Sequence, residues 1–484
     1  MDAKALLEST GALLPHLIVL VTGLVILLLD LFLTPRSRYV NEVVGIVGLL
    51  VAFVVTFCTV GEPRLVFLNM AVVDTLGAFF NATFVLIAAL MLLLSASFIR
   101  REEIPAGEYY ALVLFATVGF MFVASAADLI MVFLAIETVS IATYILAGLL
   151  RDAPRSHEAA FKYFMLGAFS SAFFLYGIAN VYGALGTTNL MAVAQALGEQ
   201  NASPLLLLGI ALLIVGLGFK AAVVPFHMWV PDVYEGAPTA VTAFMTAGPK
   251  AAAFAALLRV FFQGFGAPVL VQEWEPIFAV LAALTMILGN IVAIAQRSIK
   301  RMLAYSSIAH AGYAFVALAA HNVSGASSIL YYLVAYALMS LGAFTVLIAV
   351  AGRDDQRYAF DDYAGLGTTN PLLAAVMSLF MLALAGFPPT AGFAGKLYIF
   401  SAAEQAGYYV LALIGVLTSV ISVAYYARVI MMMYMHEPNG QQPVTRLAPT
   451  AWVALGIAGF GVLYLGVFPG AVMRLAERSV AFLF

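Results

Sequence analysis

The chain is built almost entirely from long apolar runs. They fall near 13–34, 42–60, 75–98, 109–126, 129–150, 160–184, 204–224, 239–262, 276–296, 303–321, 326–350, 372–402, 408–434 and 450–470. A helical membrane span needs roughly 20 apolar residues. Lipid leaves backbone polar groups no partner but each other, so only helices and closed barrels cross it. These runs do not alternate as barrel strands do. The pattern therefore predicts an all-α integral membrane protein of about 14 transmembrane helices.

Composition agrees. The 484 residues are 64% hydrophobic and 10% charged, against about 25% charged for a soluble domain, and mean hydropathy is +1.03. A net charge of −3 offers no basic face for phosphates, which argues against nucleic acid. The single cysteine, Cys58, excludes an internal disulfide and a cysteine-ligated cluster. The six histidines are scattered without metal-ligand spacing, so no metal is expected. The first run lacks a basic flank and a small-residue cleavage site, and is expected to be a span rather than a cleaved signal.

Loop charges predict orientation. Arg36 and Arg38, Arg100 and Arg101, Arg151 and Arg155, Arg297 with Lys300 and Arg301, Arg353 and Arg357, and Arg446 fall in alternate loops. The other loops are nearly free of basic residues, Arg64 being the main exception, although Arg474 and Arg478 follow the last run. The basic loops are expected inside the cell and both termini outside.

Two runs look broken. One passes through Gly218-Phe219-Lys220 to Pro225-Phe226-His227, the other through Gly386-Phe387-Pro388-Pro389-Thr390-Ala391-Gly392-Phe393. Proline removes an amide donor and kinks a helix. The breaks lie five spans apart, which points to two repeats of about five helices, each with a discontinuous helix. The expected organisation is one membrane domain over 1–484, with helices 1–3 in 1–108, repeats in 109–262 and 276–434, and a last helix in 450–484.

Charge inside the runs is selective. Of sixteen arginines nearly all lie in loops or at run ends, Arg259 and Arg428 among the latter. Of six lysines, four lie within apolar segments: Lys162, Lys220, Lys250 and Lys396. Glu137 is the one acidic residue deep within a run. A charge at the bilayer centre costs roughly 2.5–3.5 kcal/mol, so these groups are expected to share a polar interior. Arginine stays protonated, whereas buried lysine can release its proton. A row of lysines with arginine at the edges is therefore a candidate proton path. Each residue also has a plainer reading. Lys162, near the start of its run, could snorkel to the interface. Glu137 could tie two helices. His227 could satisfy a broken backbone, and His310 could be packed core. Gly395-Lys396 is no phosphate loop, because Thr390 and Leu397 break that pattern. No haem, flavin or iron–sulfur signature is visible.

The stretches Gly218-Phe219-Lys220, Pro225-Phe226-His227 and Pro231-Asp232-Val233-Tyr234-Glu235-Gly236-Ala237-Pro238-Thr239 resemble the subunit N family of the proton-pumping NADH:quinone oxidoreductase, respiratory complex I. Tyr305-Ser306-Ser307-Ile308-Ala309-His310-Ala311-Gly312-Tyr313 and the second break look similar too, and the likeness spans nearly the whole chain. It implies an antiporter-like fold of 14 helices with two inverted five-helix repeats and discontinuous helices 7 and 12. It also implies roles in proton transfer. Glu137 would modulate Lys220, Lys250 would connect the halves, Lys396 would be the terminal lysine, and Lys162, His227 and His310 would assist. Gly248-Pro249 replaces a serine-rich stretch before Lys250. The likeness implies no cofactor in this chain. NADH, FMN, iron–sulfur clusters and quinone are expected in partner subunits, and K-, J-, M- and L-type membrane subunits are the expected neighbours in a bacterial inner membrane. The alternatives are a subunit of a multisubunit cation/proton antiporter and a structural spacer with static lysines.

Overall fold

The computed structural model describes residues 9–34, 37–197, 202–352, 355–438, 444 and 446–484. Arg36 and Arg353 of the basic loops lie outside them. The architecture is an α-helical bundle. Helices α1 (Leu14–Asp30) and α2 (Tyr39–Thr59) lead into a short hairpin of β1 (Arg64–Val66) and β2 (Ala71–Val73), paired antiparallel with Arg64 opposite Val73. Then come α3 (Thr75–Arg101), α4 (Ala106–Ala124), α5 (Leu129–Ala147), α6 (Pro154–Leu185) and the short α7 (Leu190–Leu197). The seventh span is α8 (Pro204–Ala221) followed after a gap by α9 (Trp229–Gly236). Next are α10 (Thr239–Leu257, continued by a π-helical turn over Leu258–Gly264), α11 (Pro268–Ile294), α12 (Ile299–Ala319) and α13 (Val323–Ala351). After the short α14 (Leu366–Thr369), the twelfth span is again split, into α15 (Pro371–Ala385) and α16 (Ala391–Gln405). α17 (Tyr409–Met435), α18 (Pro449–Val467) and the surface helix α19 (Gly470–Val480) complete the chain.

Twelve of the described helices are long and apolar enough to cross a membrane, and α1 and α15 are shorter apolar helices. Together they account for the fourteen runs. The hairpin, α7 and α19 are additions that apolar runs do not reveal. Helix starts follow from the sequence. Asp74, Asp128, Ser203, Ser298 and Asn322 each accept a backbone N–H of the first turn, which satisfies donors that a helix start leaves orphaned.

α10, α12 and α13 form the centre, with nearly every residue buried, while α2, α6, α11, α17 and α18 stand outside them with large apolar side chains exposed. An apolar exterior around a tighter interior is what lipid as solvent requires.

Both breaks satisfy the backbone groups they free. After α8, Ala222 turns left-handed at φ +63. The Val223 amide returns to the Gly218 carbonyl at 3.0 Å, the Val224 amide bonds Thr285 Oγ1 at 3.0 Å, and Trp229 Nε1 caps the Phe219 carbonyl at 3.0 Å. After α15, Gly386 takes φ +88, and the Phe387 amide returns to the Leu382 carbonyl at 3.0 Å. Pro249 does not break α10. Its ring removes the amide that would serve the Met245 carbonyl, and the Tyr234 hydroxyl donates to that carbonyl instead, at 3.0 Å.

Candidate functional site: a buried lysine row

α5 presents Glu137, Ser140 and Tyr144 at helical spacing, hence on one face. Glu137 is half-buried and accepts a hydrogen bond from Ser171 Oγ of α6 at 2.5 Å. Lys220, one residue before the end of α8, donates to Ser140 Oγ at 2.7 Å. Its Nζ lies 5.5 Å from the Phe219 ring and 5.8 Å from the Tyr144 ring. Lys220 and Glu137 form no direct ion pair. Each is held by a serine, and Ser140 stands one turn from Glu137.

Lys250 is 3% exposed. It donates to the Ser307 hydroxyl at 2.5 Å and to the Ser307 carbonyl, and lies 5.0 Å from the Tyr336 ring. From there α12 acts as a thread, because Ser306, His310 and Tyr313 share one face by the same spacing. Ser306 bonds the Tyr426 hydroxyl, which also meets His310 Nε2 at 3.1 Å. His310 Nδ1 meets the Tyr332 hydroxyl at 2.6 Å. The Tyr313 ring lies 4.8 Å from Lys396 Nζ. Asn290 ties the Tyr313 and Tyr425 hydroxyls, at 3.2 and 2.9 Å.

Lys396 is 4% exposed and reaches back across the second break. It donates to the carbonyls of Leu384 and Ala385, at 3.1 and 2.9 Å, and to Ser419 Oγ at 2.8 Å. A cation is favoured at those orphaned helix-end carbonyls. The two halves thus differ. Lys220 belongs to the helix that breaks, whereas Lys396 comes from the far half and caps the near one.

The structure brings Lys250, His310 and Lys396 into one hydroxyl-rich interior, with Glu137 and Lys220 in a cluster beside it. It does not bring in Lys162, whose side chain is 40% exposed and paired with Glu158 at 2.8 Å and Asp232 at 2.9 Å. The reason is its position on the outward face of the first turns of α6. His227 is half-buried in the first break, and its Nδ1 has no hydrogen-bond partner among the described residues. Arg259 does lie near the end of its run, in the π-helical turn, where it is fully buried and paired with Asp74 at 2.6 Å. One sequence expectation needs correction. Lys300, placed in a basic loop, is also fully buried, because α12 begins one residue before it against the end of α9. Sequence reasoning also passed over Ser140, Ser171, Tyr332, Tyr336, Ser419 and Tyr426. The available signal was hydroxyl residues at spacings of three, four or seven on apolar helices.

A discontinuous-helix bundle with titratable groups at each break defines a class of ion-translocating membrane proteins, and comparison with known proteins agrees. Residues 126–422, more than half of the chain, match the sequence profile of the NADH:quinone oxidoreductase/Mrp antiporter transmembrane family. NADH-quinone oxidoreductase subunit N of Trichlorobacter lovleyi is 44% identical over 476 residues, covering 98% of this chain and 97% of the relative. Subunit N 2 of Rhizobium meliloti is 43% identical, covering 99% of each. A chain of Thermus thermophilus respiratory complex I with bound aureothin superposes with a TM-score of 0.82 at 37% identity, covering 96% of this chain and 99% of that one. A chain of the Dietzia Mrp complex shares the fold at 20% identity, with a TM-score of 0.85 and coverage of 99% and 97%. The chain belongs to the NADH:quinone oxidoreductase/Mrp antiporter transmembrane family, and within it to the NADH-quinone oxidoreductase subunits N.

Proposed function

We propose that the chain is a proton-translocating membrane subunit of an NADH:quinone oxidoreductase. Protons pass between Glu137 with Lys220, Lys250, His310 and Lys396, helped by the hydroxyls between them. The observation that carries this reading is the interior from Lys250 to Lys396. It holds two buried lysines with no carboxylate within 4 Å among the described residues, connected by Ser307, Ser306, Tyr426, His310 and Tyr313. An ammonium without a counter-ion in a low-dielectric interior is ready to give up its proton. Glu137, free of a direct pair, can add or withdraw attraction at Lys220 by a small movement.

No redox group is assigned to this chain. NADH oxidation, FMN, iron–sulfur clusters and quinone chemistry belong on this reading to partner subunits, with K-, J-, M- and L-type chains as membrane neighbours. The basic loops face the inside of a bacterial cell, both termini lie outside, and α4–α10 and α11–α17 are the two inverted repeats. Lys162 and His227 stand at the margin of the path.

The test is proton pumping and quinone reduction in membranes carrying Lys220→Ala or Lys396→Ala in the assembled complex. A group acting in proton transfer typically contributes 10²–10⁴-fold, so pumping should fall at least tenfold. Normal pumping in both variants would sink the reading. Glu137→Gln should be milder than either. The shared fold with the Mrp chain keeps a second reading open, a cation/proton antiporter subunit. Sodium-dependent proton transport without an NADH-oxidising partner would favour it.

A further inference from the structure

A second buried lysine–carboxylate group lies off this path, at the end of the bundle that carries the arginine-rich loops. Lys300 is fully buried in the first turn of α12. Its Nζ donates to the Ala237 carbonyl at 2.6 Å, sits 3.8 Å from Asp355 Oδ2 and lies 4.6 Å from the Tyr358 ring. Asp355 is fully buried as well. Its Oδ2 accepts the Thr239 amide at 2.8 Å and the Thr239 hydroxyl at 3.0 Å, while its Oδ1 has no hydrogen-bond partner among the described residues. A buried carboxylate oxygen left unpaired is costly, and such atoms call for an explanation.

Two features give this group a direction. A cavity of about 880 Å3 opens on the same face, lined by Arg155 and Gln356 among others. Arg155 donates to the Asp355 backbone carbonyl, so the cavity wall and the buried carboxylate belong to one segment. On the inner side, Lys300 stands seven residues before Ser307 on α12, and Ser307 is the partner of Lys250. Seven residues rise about 10.5 Å, and on α10 the buried Thr242 and Thr246 stand between Thr239 and Lys250 in sequence. The other charged groups around Lys300 are Arg155, and Glu235, which is held by Arg301 at 2.7 Å.

We propose that Asp355 and Lys300 form the proton inlet that recharges Lys250 from the cavity on the basic face. The proposal rests on the proton path described above. When Lys250 has lost its proton, the Lys300 ammonium breaks one N–H bond, and that proton moves inward to form an N–H on Lys250. The neutral Lys300 amine is refilled through Asp355. The carboxylate binds a proton from cavity water and then gives it to the amine, returning to its charged form. One proton enters for each proton passed on.

The test uses the assembled complex in membranes and compares Lys300→Arg and Lys396→Ala with wild type. Arginine keeps the charge and can still donate to Ala237 and Asp355, but it does not release its proton. The expected result is at least a tenfold loss of proton pumping in Lys300→Arg, in complex that assembles to the wild-type amount. Wild-type pumping in Lys300→Arg would make the pair a mere tie and overturn the inlet. Lys300→Met, which also loses the titrating group, serves if the arginine does not assemble, and failure of both to assemble would likewise overturn it. Loss in Lys396→Ala with none in Lys300→Arg rejects the inlet alone. Normal pumping in both rejects the path itself.

Discussion

The two ends of α10 are each held by a buried cation and an aspartate, and the two pairs are built differently. At one end Arg259 grips Asp74 with two bonds, 2.6 and 2.7 Å, and adds a third to the Ala124 carbonyl at 2.8 Å. Asp74 in turn caps the first turn of α3 through the Gly77 amide at 2.8 Å. At the other end Lys300 and Asp355 stand 3.8 Å apart, and one carboxylate oxygen has no hydrogen-bond partner among the described residues. The first pair is a bidentate, permanently charged lock. The second is loose and built on a cation that can titrate. Lys250 lies between them, with Arg259 nine residues further along the same helix. Arg259 does not release its proton, so that end offers no onward carrier, and on the proposed path a proton moves sideways along α12 toward Lys396.

Breaking the lock should have the largest effect. Arg259→Leu leaves Asp74 charged, buried and alone, which costs about 3–5 kcal/mol. That is a large share of a typical stability, so the amount of assembled complex in membranes should fall sharply. Adding Asp74→Asn, which keeps the cap on α3 but removes the charge, should recover much of it. A wild-type level in the single variant would mean that the pair is no lock.

Arg259→Lys sharpens the same comparison with a smaller change. The ammonium keeps the charge but cannot match the fork, so one charged hydrogen bond is lost, at roughly 1.5–3 kcal/mol. The complex should still assemble. The lock would now resemble the other end, and a pH gradient across sealed vesicles should decay faster than in wild type once pumping is stopped. An unchanged decay would show that permanence of charge at this end does not matter.

Thr239→Val acts on the loose end. It removes one neutral donor from Asp355 while the backbone amide remains, so the loss should be about 1 kcal/mol. Thermal unfolding of the purified complex, followed at this subunit, measures it. A loss as large as that of Arg259→Leu would make the two ends equivalent as structural ties.

The sequence made the bundle legible because lipid leaves so few choices. Fourteen apolar runs became helices at their expected places, and both proline-bearing breaks are real interruptions. Lys250 and Lys396 could be read as buried for the same reason, since no loop was near. What escaped reading lay at span ends, where apolarity stops informing. Arg259 and Lys300 look alike in sequence to a surface arginine and a loop lysine. Only packing against α3 in one case, and against the end of α9 in the other, makes them buried. The hydroxyl partners escaped for another reason. Ser140, Tyr332 and Tyr426 are ordinary residues in an apolar helix, and only the meeting of α5 with α8, or of α12 with α13 and α17, gives them a role.

Lys162 supplies the smallest expected effect and a control for the whole comparison. It is a lysine with two carboxylates within 3 Å, Glu158 and Asp232, which by contact geometry alone is better paired than Lys300. Its side chain is 40% exposed, however, and water screens what burial would strengthen. Such pairs contribute about 0–1 kcal/mol. Asp232 also keeps Arg301 at 2.9 Å, and Glu158, 65% exposed, is left to water. Lys162→Gln should therefore assemble normally and pump near the wild-type rate, measured beside Lys300→Arg in the same vesicles. If instead Lys162→Gln stops pumping and Lys300→Arg does not, burial is not what selects the working lysines, and the exposed network of Glu158, Lys162, Asp232 and Arg301 is the inlet.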